Sequence, residues 1–460
     1  MSATLLHPAD LEPSLLAVRT YASRRRRARI DAAALLSLMV ALLYCLPATL
    51  IAPELTFAGR PALLVAFALA CWWSLTRLHP RLVMSGSQPM RWAAFAYLLS
   101  FLLSYLAGTI RGLPQLEANG QDFAMIIMIE FLGVVLIAAD GVPNWHRFAG
   151  VLRVLVWSAG FAAVVGLVQS VTAFDITRYM VLPGLRFHGE AADFAARGDG
   201  GLFRVASTTA HYIEFSTVMA LAVPFAIHFA RFAPSRAGRV TSGLLALLIT
   251  AVIPLTVSRT GVLALAVTIA VVFVLAWNWR TRYHVLVLGV VTAAGLMLVK
   301  PGLLGTLGAL FASAGEDPSI QGRTQDYEYV AYWFSQRPWL GRGPGTLIPE
   351  LYLILDNQWL GTLVTGGIVG VAAFAGLHVT GITLASIAMR RARRPAERDL
   401  CAALIAAQVT SILVSGTFDS LSFTTFSFTL ALTCGLSGAA WRLTHPHRRI
   451  RTSTVRWLGD

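Results

Sequence analysis

Residues 244–277 read LLALLITAVIPLTVSRTGVLALAVTIAVVFVLAW. Two apolar runs flank a short polar stretch, TVSRTG, from Thr256 to Gly261. Neither run alternates polar with apolar residues, so neither fits the strand of a membrane barrel. A helix closes its own backbone hydrogen bonds and is the form such a run takes in hydrocarbon. The stretch predicts a membrane-embedded helical hairpin with Arg259 at its tip.

Runs of this kind recur through all 460 residues. Hydrophobic residues make up 56% of the chain and charged residues 13%, and mean hydropathy is +0.65, which excludes an ordinary soluble domain. A hydrocarbon core of roughly 30 Å asks for helices of about 20 residues. We expect an all-α polytopic membrane protein with about twelve transmembrane helices and a large extracytoplasmic loop containing amphipathic helices. The expected spans are Asp31–Ala52, Pro61–Thr76, Trp92–Gly108, Phe123–Asp140, Gly150–Val171, Thr208–Ala230, Thr241–Leu255, Thr260–Trp277, His284–Val299, Trp359–Met389, Cys401–Gly416 and Leu421–Trp441.

The formal net charge of +14 comes from arginines between the spans and at the chain ends. RLHPRLVMSGSQPMR, RFAPSRAGR and RRARRPAER are short basic loops, which the positive-inside rule places in the cytoplasm. The charge therefore reads as topology and not as nucleic-acid binding. On this reading residues 1–30 form a cytoplasmic basic tail, 31–441 a single transmembrane domain, and 442–460 a second cytoplasmic basic tail. The first apolar run has no small-residue cleavage site after it and is expected to stay as an uncleaved helix. The two longest loops, about 172–207 and 301–358, fall on the outer face. Cys45, Cys71, Cys401 and Cys434 lie in apolar runs and read as core residues, not as a disulfide framework or a metal site.

Arg259 then emerges on the outer side, against the charge bias of the rest of the chain. Either it snorkels from a helix end, or a partner or a function holds it there. Arg186 and Arg204 stand in the first outer loop, PGLRFHGEAADFAARGDGGLFRVASTTAHYIEF, with Arg204 just before the sixth span. Arg323 opens QGRTQDYEYVAYWFSQRPWLGRGPGT in the second. There Asp317-Pro318 offers a cap and a first-turn proline, and Tyr327, Val330, Ala331 and Phe334 form an apolar stripe, which predicts an amphipathic helix.

A guanidinium grips phosphate oxygens as a two-pronged fork and stays charged at any biological pH. Arg204, Arg259 and Arg323 on one side of the membrane thus suit a lipid-linked diphosphate. The alternative is that each pairs with a local carboxylate: Asp199, Glu214, Asp326 or Glu328. Asp356 and Asn357 stand at the mouth of the glycine-rich tenth span. Asp356 is either a helix cap or ion-pair partner, or a general base raised by desolvation, with Asn357 orienting it or a sugar hydroxyl. His211 is the other outer base, or a structural histidine buried in a helix.

In order along the chain come FRVASTTAHYIEFS entering a span, VSRTG at a hairpin, GRTQDYEYVAYWFSQRPWLGRGPGT in the large loop, DNQWLGTLVTGGIVG opening the next span, and GTFDSLSF before the last. On these motifs the chain, from about Gly166 to Gly435, resembles the O-antigen ligase / Wzy-type O-antigen polymerase superfamily. The resemblance implies a metal-independent, inverting glycosyl transfer on the extracytoplasmic face of the bacterial cell membrane. The donor would be a polyprenyl-diphosphate-linked glycan and the acceptor a hydroxyl of a glycan or lipid-glycan, with membrane lipid around them and no cofactor. Arg204, Arg259 and Arg323 would hold the diphosphate and Asp356 would act as base. Arg186, His211, Asn357, Tyr327 and Arg342 are expected around the substrate. Ligases that load lipid A core typically carry histidine before this Asn, where the present chain has Asp356, which favours a polymerase-like or other glycan-attaching member. A transporter or flippase for a lipid-linked or anionic solute is the rival reading. The sequence shows no internal repeat and few mid-span charges beyond Glu130, which weighs against it.

Overall fold

The computed structural model describes residues 31–55, 59–78, 87–188, 196–197, 202–299, 302, 305, 308, 318–349 and 351–445. Most of both basic tails, Asp199, Asp317 and the side chain of Arg323 lie outside what it describes.

Among the described residues, polar turns and prolines divide the apolar sequence into thirteen α-helices. They are α1 (Ala32–Cys45), α2 (Pro61–Leu78), α3 (Pro89–Ile110), α4 (Gln115–Gly141), α5 (Trp145–Thr172), α6 (Tyr212–Phe232), α7 (Arg236–Leu255), α8 (Arg259–Leu275), α9 (Trp279–Val299), α10 (Pro318–Gln336), α11 (Gln358–Arg391), α12 (Pro395–Val414) and α13 (Thr424–Thr444). Every expected apolar segment contains a helix, though that of Asp31–Ala52 stops at Cys45, and α10 is the helix expected around residues 318–337. Eight helices, α2 to α7, α9 and α11, are long and apolar enough to cross a membrane, while α1 and α8 are shorter apolar helices. The expectation of about twelve spans thus exceeds what length and composition establish. α12 opens on Glu397, Arg398 and Asp399, and α13 carries Ser and Thr through its length.

That polarity is absorbed inside the bundle. Thr268 of α8 meets Thr410 of α12 at 2.8 Å, and Gln408 bonds both His378 of α11 and Thr433 of α13. Small residues let backbones close up, as membrane helices require. Gly133 of α4 lies on Ala70 of α2, and Gly435 of α13 lies on the Val135 carbonyl of α4.

Contacts between helix ends define two ends of the bundle. At the basic end Arg77 and Arg91 pair with Asp140, Arg147 with Asp31, and Arg231 and His228 with Asp399. Arg442, expected to begin the tail, is instead buried in the last turns of α13, where its Nε donates to the Ala139 carbonyl at 3.0 Å. The opposite, loop end gathers the segments before α6, before α11 and between α12 and α13. There β1 (Leu50–Ile51) pairs antiparallel with β2 (Arg186–Phe187), and β3 (Ala196–Arg197) with β4 (Leu202–Phe203).

α11 is broken at Gly367, whose φ of 64° is a left-handed conformation that favours glycine. The freed backbone groups are taken up by residues 338–343. Arg342 and Gly343 donate to the carbonyls of Val364 and Thr365 at 3.0 Å, and Ile368 donates to Pro338 at 2.9 Å. The large loop therefore docks into the break, where its protein partners satisfy the irregular backbone.

Candidate functional site

Two arginines mark the loop end. Arg204 stands before α6, where its Nη1 donates to the Tyr212 hydroxyl at 2.5 Å and its guanidinium lies 4.4 Å from the Tyr212 ring centroid. No carboxylate pairs with it among the described residues, and its Nε is buried without an acceptor. Arg259 is the first residue of α8, half-buried behind the Ser258 cap. Val257 before it takes φ 51°, a strained value for a β-branched residue that sets the tight turn. Gly261 lies so close to Ser216 that any side chain would overlap it, so α6 and α8 begin side by side. Arg204 thus precedes, and Arg259 begins, two helices that start side by side at one end of the bundle. Arg323 belongs to α10, whose Val330 packs with Leu355 and Val364 at the start of α11.

The carboxylates are placed by a second set of contacts. Gln358 donates its N–H to the carbonyls of Ser415 and Phe418, at 2.8 and 3.1 Å, and its side chain accepts from Leu421 N at 2.8 Å. These bonds pin the start of α11 to the loop between α12 and α13 and bring Asp356 beside Asp419. Asp356 itself is exposed, so the expectation of a desolvated carboxylate at this position is corrected. The half-buried acid is Asp419. Burial pushes its carboxyl up to about 6, with the neighbouring Asp356 charge acting in the same direction and the Ser422 hydrogen bond against it.

The arginine side and the acid side are joined through His211. Its ring lies 4.1 Å from that of Tyr212 and 5.6 Å from that of Phe423, between centroids. Its Nδ1 accepts from Ile213 N, so it caps α6 and is not buried in the helix, as the structural alternative had it. Glu214 is the deeper tie. One carboxylate oxygen accepts from Thr425 N at 2.6 Å and Phe426 N at 3.2 Å at the start of α13, and the other accepts from Ala210 N at 2.9 Å. Glu214 therefore serves backbone groups, and not Arg204 or Arg259 as the alternative reading had it. Its charge is balanced by Arg60, fully buried near α13, which donates to the Leu43 carbonyl at 2.8 Å and Thr425 at 3.2 Å. The sequence reading missed Arg60, although it stands before the Pro61 helix start, in a connection that the expected topology makes outer.

Other expected residues have different surroundings. Asn357 accepts from Trp359 N and Leu360 N at 2.9 and 3.2 Å and so caps α11, which occupies the oxygen that was to orient Asp356. Arg342 is buried between the rings of Trp333 and Tyr352, bonds the Tyr352 hydroxyl at 2.7 Å and faces Glu117. That geometry fastens the large loop to α4. Arg186 is in the exposed strand β2 and donates to the Pro53 carbonyl at 3.1 Å. Tyr327 is 60% exposed and Ala331 is exposed too, on the open side of α10; the inward stripe runs instead through buried Asp326 and Val330 and half-buried Trp333. The stripe is rotated because Val330 packs with Leu355 and Val364 at the docked loop.

Residues 244–375, from α7 into α11, match the family model described as O-antigen ligase. The match covers under a third of the chain. It supports the superfamily that the motifs resemble, and it contains Arg259, Arg323, Asp356 and Asn357, while Arg204, His211 and Asp419 lie outside it. No curated protein matches the chain.

Proposed function

We propose that this protein is a glycosyltransferase of the O-antigen ligase/polymerase type in the bacterial cell membrane. It moves a glycan from a polyprenyl-diphosphate donor to an acceptor hydroxyl, with inversion and without a metal. The reading places the loop end on the extracytoplasmic face, both termini in the cytoplasm, and all helices except α10 across the membrane. The observation that carries it is the start of α6 and α8 side by side, with Arg204 unpaired by any described carboxylate, inside a chain whose residues 244–375 match the O-antigen ligase family model.

Arg204 and Arg259, with Arg323 from α10, neutralise the diphosphate as its oxygen leaves the anomeric carbon. They accelerate the reaction to the extent that they bind the departing diphosphate better than the donor's. The Asp356–Asp419 pair receives the proton of the attacking hydroxyl, Asp419 being the member whose carboxyl is raised toward the working range of a general base. His211 and Asn357 hold the two sides in register through their capping bonds.

The test is acceptor-dependent release of polyprenyl diphosphate from a polyprenyl-diphosphate oligosaccharide by the purified protein in lipid vesicles. Release supports bond cleavage. Movement of the intact lipid across the bilayer without release would establish the transporter reading instead.

A further inference from the structure

We propose that the cleft between α7, α8 and α9 holds the polyprenyl chain of the donor. The proposal rests on the glycosyl-transfer reading and adds the place where its lipid lies. Two cavities of about 180 and 370 Å³ share Thr250, Leu265, Gly289 and Thr292, and so form one groove. It runs from Pro254 and Met297 toward the loop end to Phe273 and Arg282 toward the basic end. At 1.5 Å per residue the stretch of α9 from 282 to 297 is roughly 22 Å long, so the groove has about the cross-section of a single hydrocarbon chain.

The groove exists because α9 packs on α7 and stands off the rest of the bundle: no residue in its apolar window is buried. A side chain at Gly289 would meet nothing within 4 Å. The wall offers hydrocarbon and few free polar groups. Thr292 donates to the Leu288 carbonyl of its own helix at 2.8 Å. Arg282 closes the far end, its Nε donating to the Trp277 carbonyl at 3.0 Å and its guanidinium 4.5 Å from the Phe273 centroid. At the near end Pro254 leads through the short turn to Arg259 at the start of α8. A narrow apolar groove that ends next to the turn leading to Arg259 fits a lipid of one long chain with an anionic head, and a two-chain phospholipid fits it poorly.

Gly289→Trp fills the groove at an open position, and Val291→Trp, on α9 at a position 58% exposed and outside the groove, is the control. With a full-length polyprenyl donor, Gly289→Trp should raise KM by about tenfold, the effect of expelling roughly two methylenes. A geranyl-chain donor should show no such change, and Val291→Trp should match the wild type on both donors. Equal KM shifts on both donors, or none, would overturn the proposal. A photoreactive polyprenyl diphosphate reports binding independently of turnover: labelling confined to α7, α8 and α9 supports the groove even if no donor is turned over, a failure that would count against the glycosyl-transfer reading alone. Labelling elsewhere, or competition by phosphatidylglycerol as effective as by unlabelled polyprenyl diphosphate, would overturn it.

Discussion

Arg204 and Tyr212 form a single unit at the start of α6: the guanidinium lies 4.4 Å from the ring centroid and its Nη1 donates to the hydroxyl at 2.5 Å. The ring holds the cation without neutralising it, which leaves its remaining donors for an anion. Replacing Arg204 or Arg259 with Ala should lower kcat by about a hundredfold, near 3 kcal/mol, as for loss of one donor to a developing oxyanion. Lys at either position keeps the charge, loses the fork, and should recover only part of the rate. Steady-state release of polyprenyl diphosphate reads both.

Tyr212→Phe removes the hydroxyl and keeps the ring. The expected loss is about tenfold to a hundredfold in kcat, the worth of one hydrogen bond to a charged group, with unchanged thermal stability. Equal activity in Phe and wild type would show that the hydroxyl does not orient Arg204.

Asp419 titrates at about 6. A general base works as the carboxylate, so kcat should fall as pH drops through 6 and level off above it. In Asp356→Asn a like charge is removed, Asp419 is easier to ionise, and the inflection should move to lower pH. Asp419→Asn should remove the inflection with most of the activity. A pH–rate profile of the three proteins decides this.

Gly367→Ala asks for a side chain at φ 64° and against the backbone of Trp339, where a Cβ would overlap. Left-handed backbone alone costs roughly 1–2 kcal/mol, and displacing the docked loop adds to it. The variant should unfold at lower temperature in detergent. Gly361→Ala, in open space on the same helix, should not.

The helices were legible because apolar runs of spanning length have few alternatives, and the capping residues Asp31, Ser258 and Asn357 stand where the helices start. The break at Gly367 was not. TGGIVG reads as a close-packing helix surface, and only the loop docked against it shows that the glycine is needed for a left-handed turn. Asp419 stood in a quoted motif, but an Asp between two spans reads as a turn residue until its neighbour Asp356 is seen. Arg60 carried the signal that drew attention to Arg259, an arginine at a helix start in a connection that the expected topology makes outer. Arg342 and Asn357 show the converse: polar residues in promising motifs that spend their hydrogen bonds on the scaffold.

The central claim is that guanidinium groups from separate helices grip one diphosphate. The most direct measurement is binding of polyprenyl diphosphate and of uncharged polyprenol to the purified protein in nanodiscs, for wild type, Arg204→Ala, Arg259→Ala and the double variant. Each single change should weaken diphosphate binding by about tenfold or more, as loss of a charge-assisted hydrogen bond does, while polyprenol binding stays as it is. Unchanged diphosphate affinity in the double variant would contradict the account.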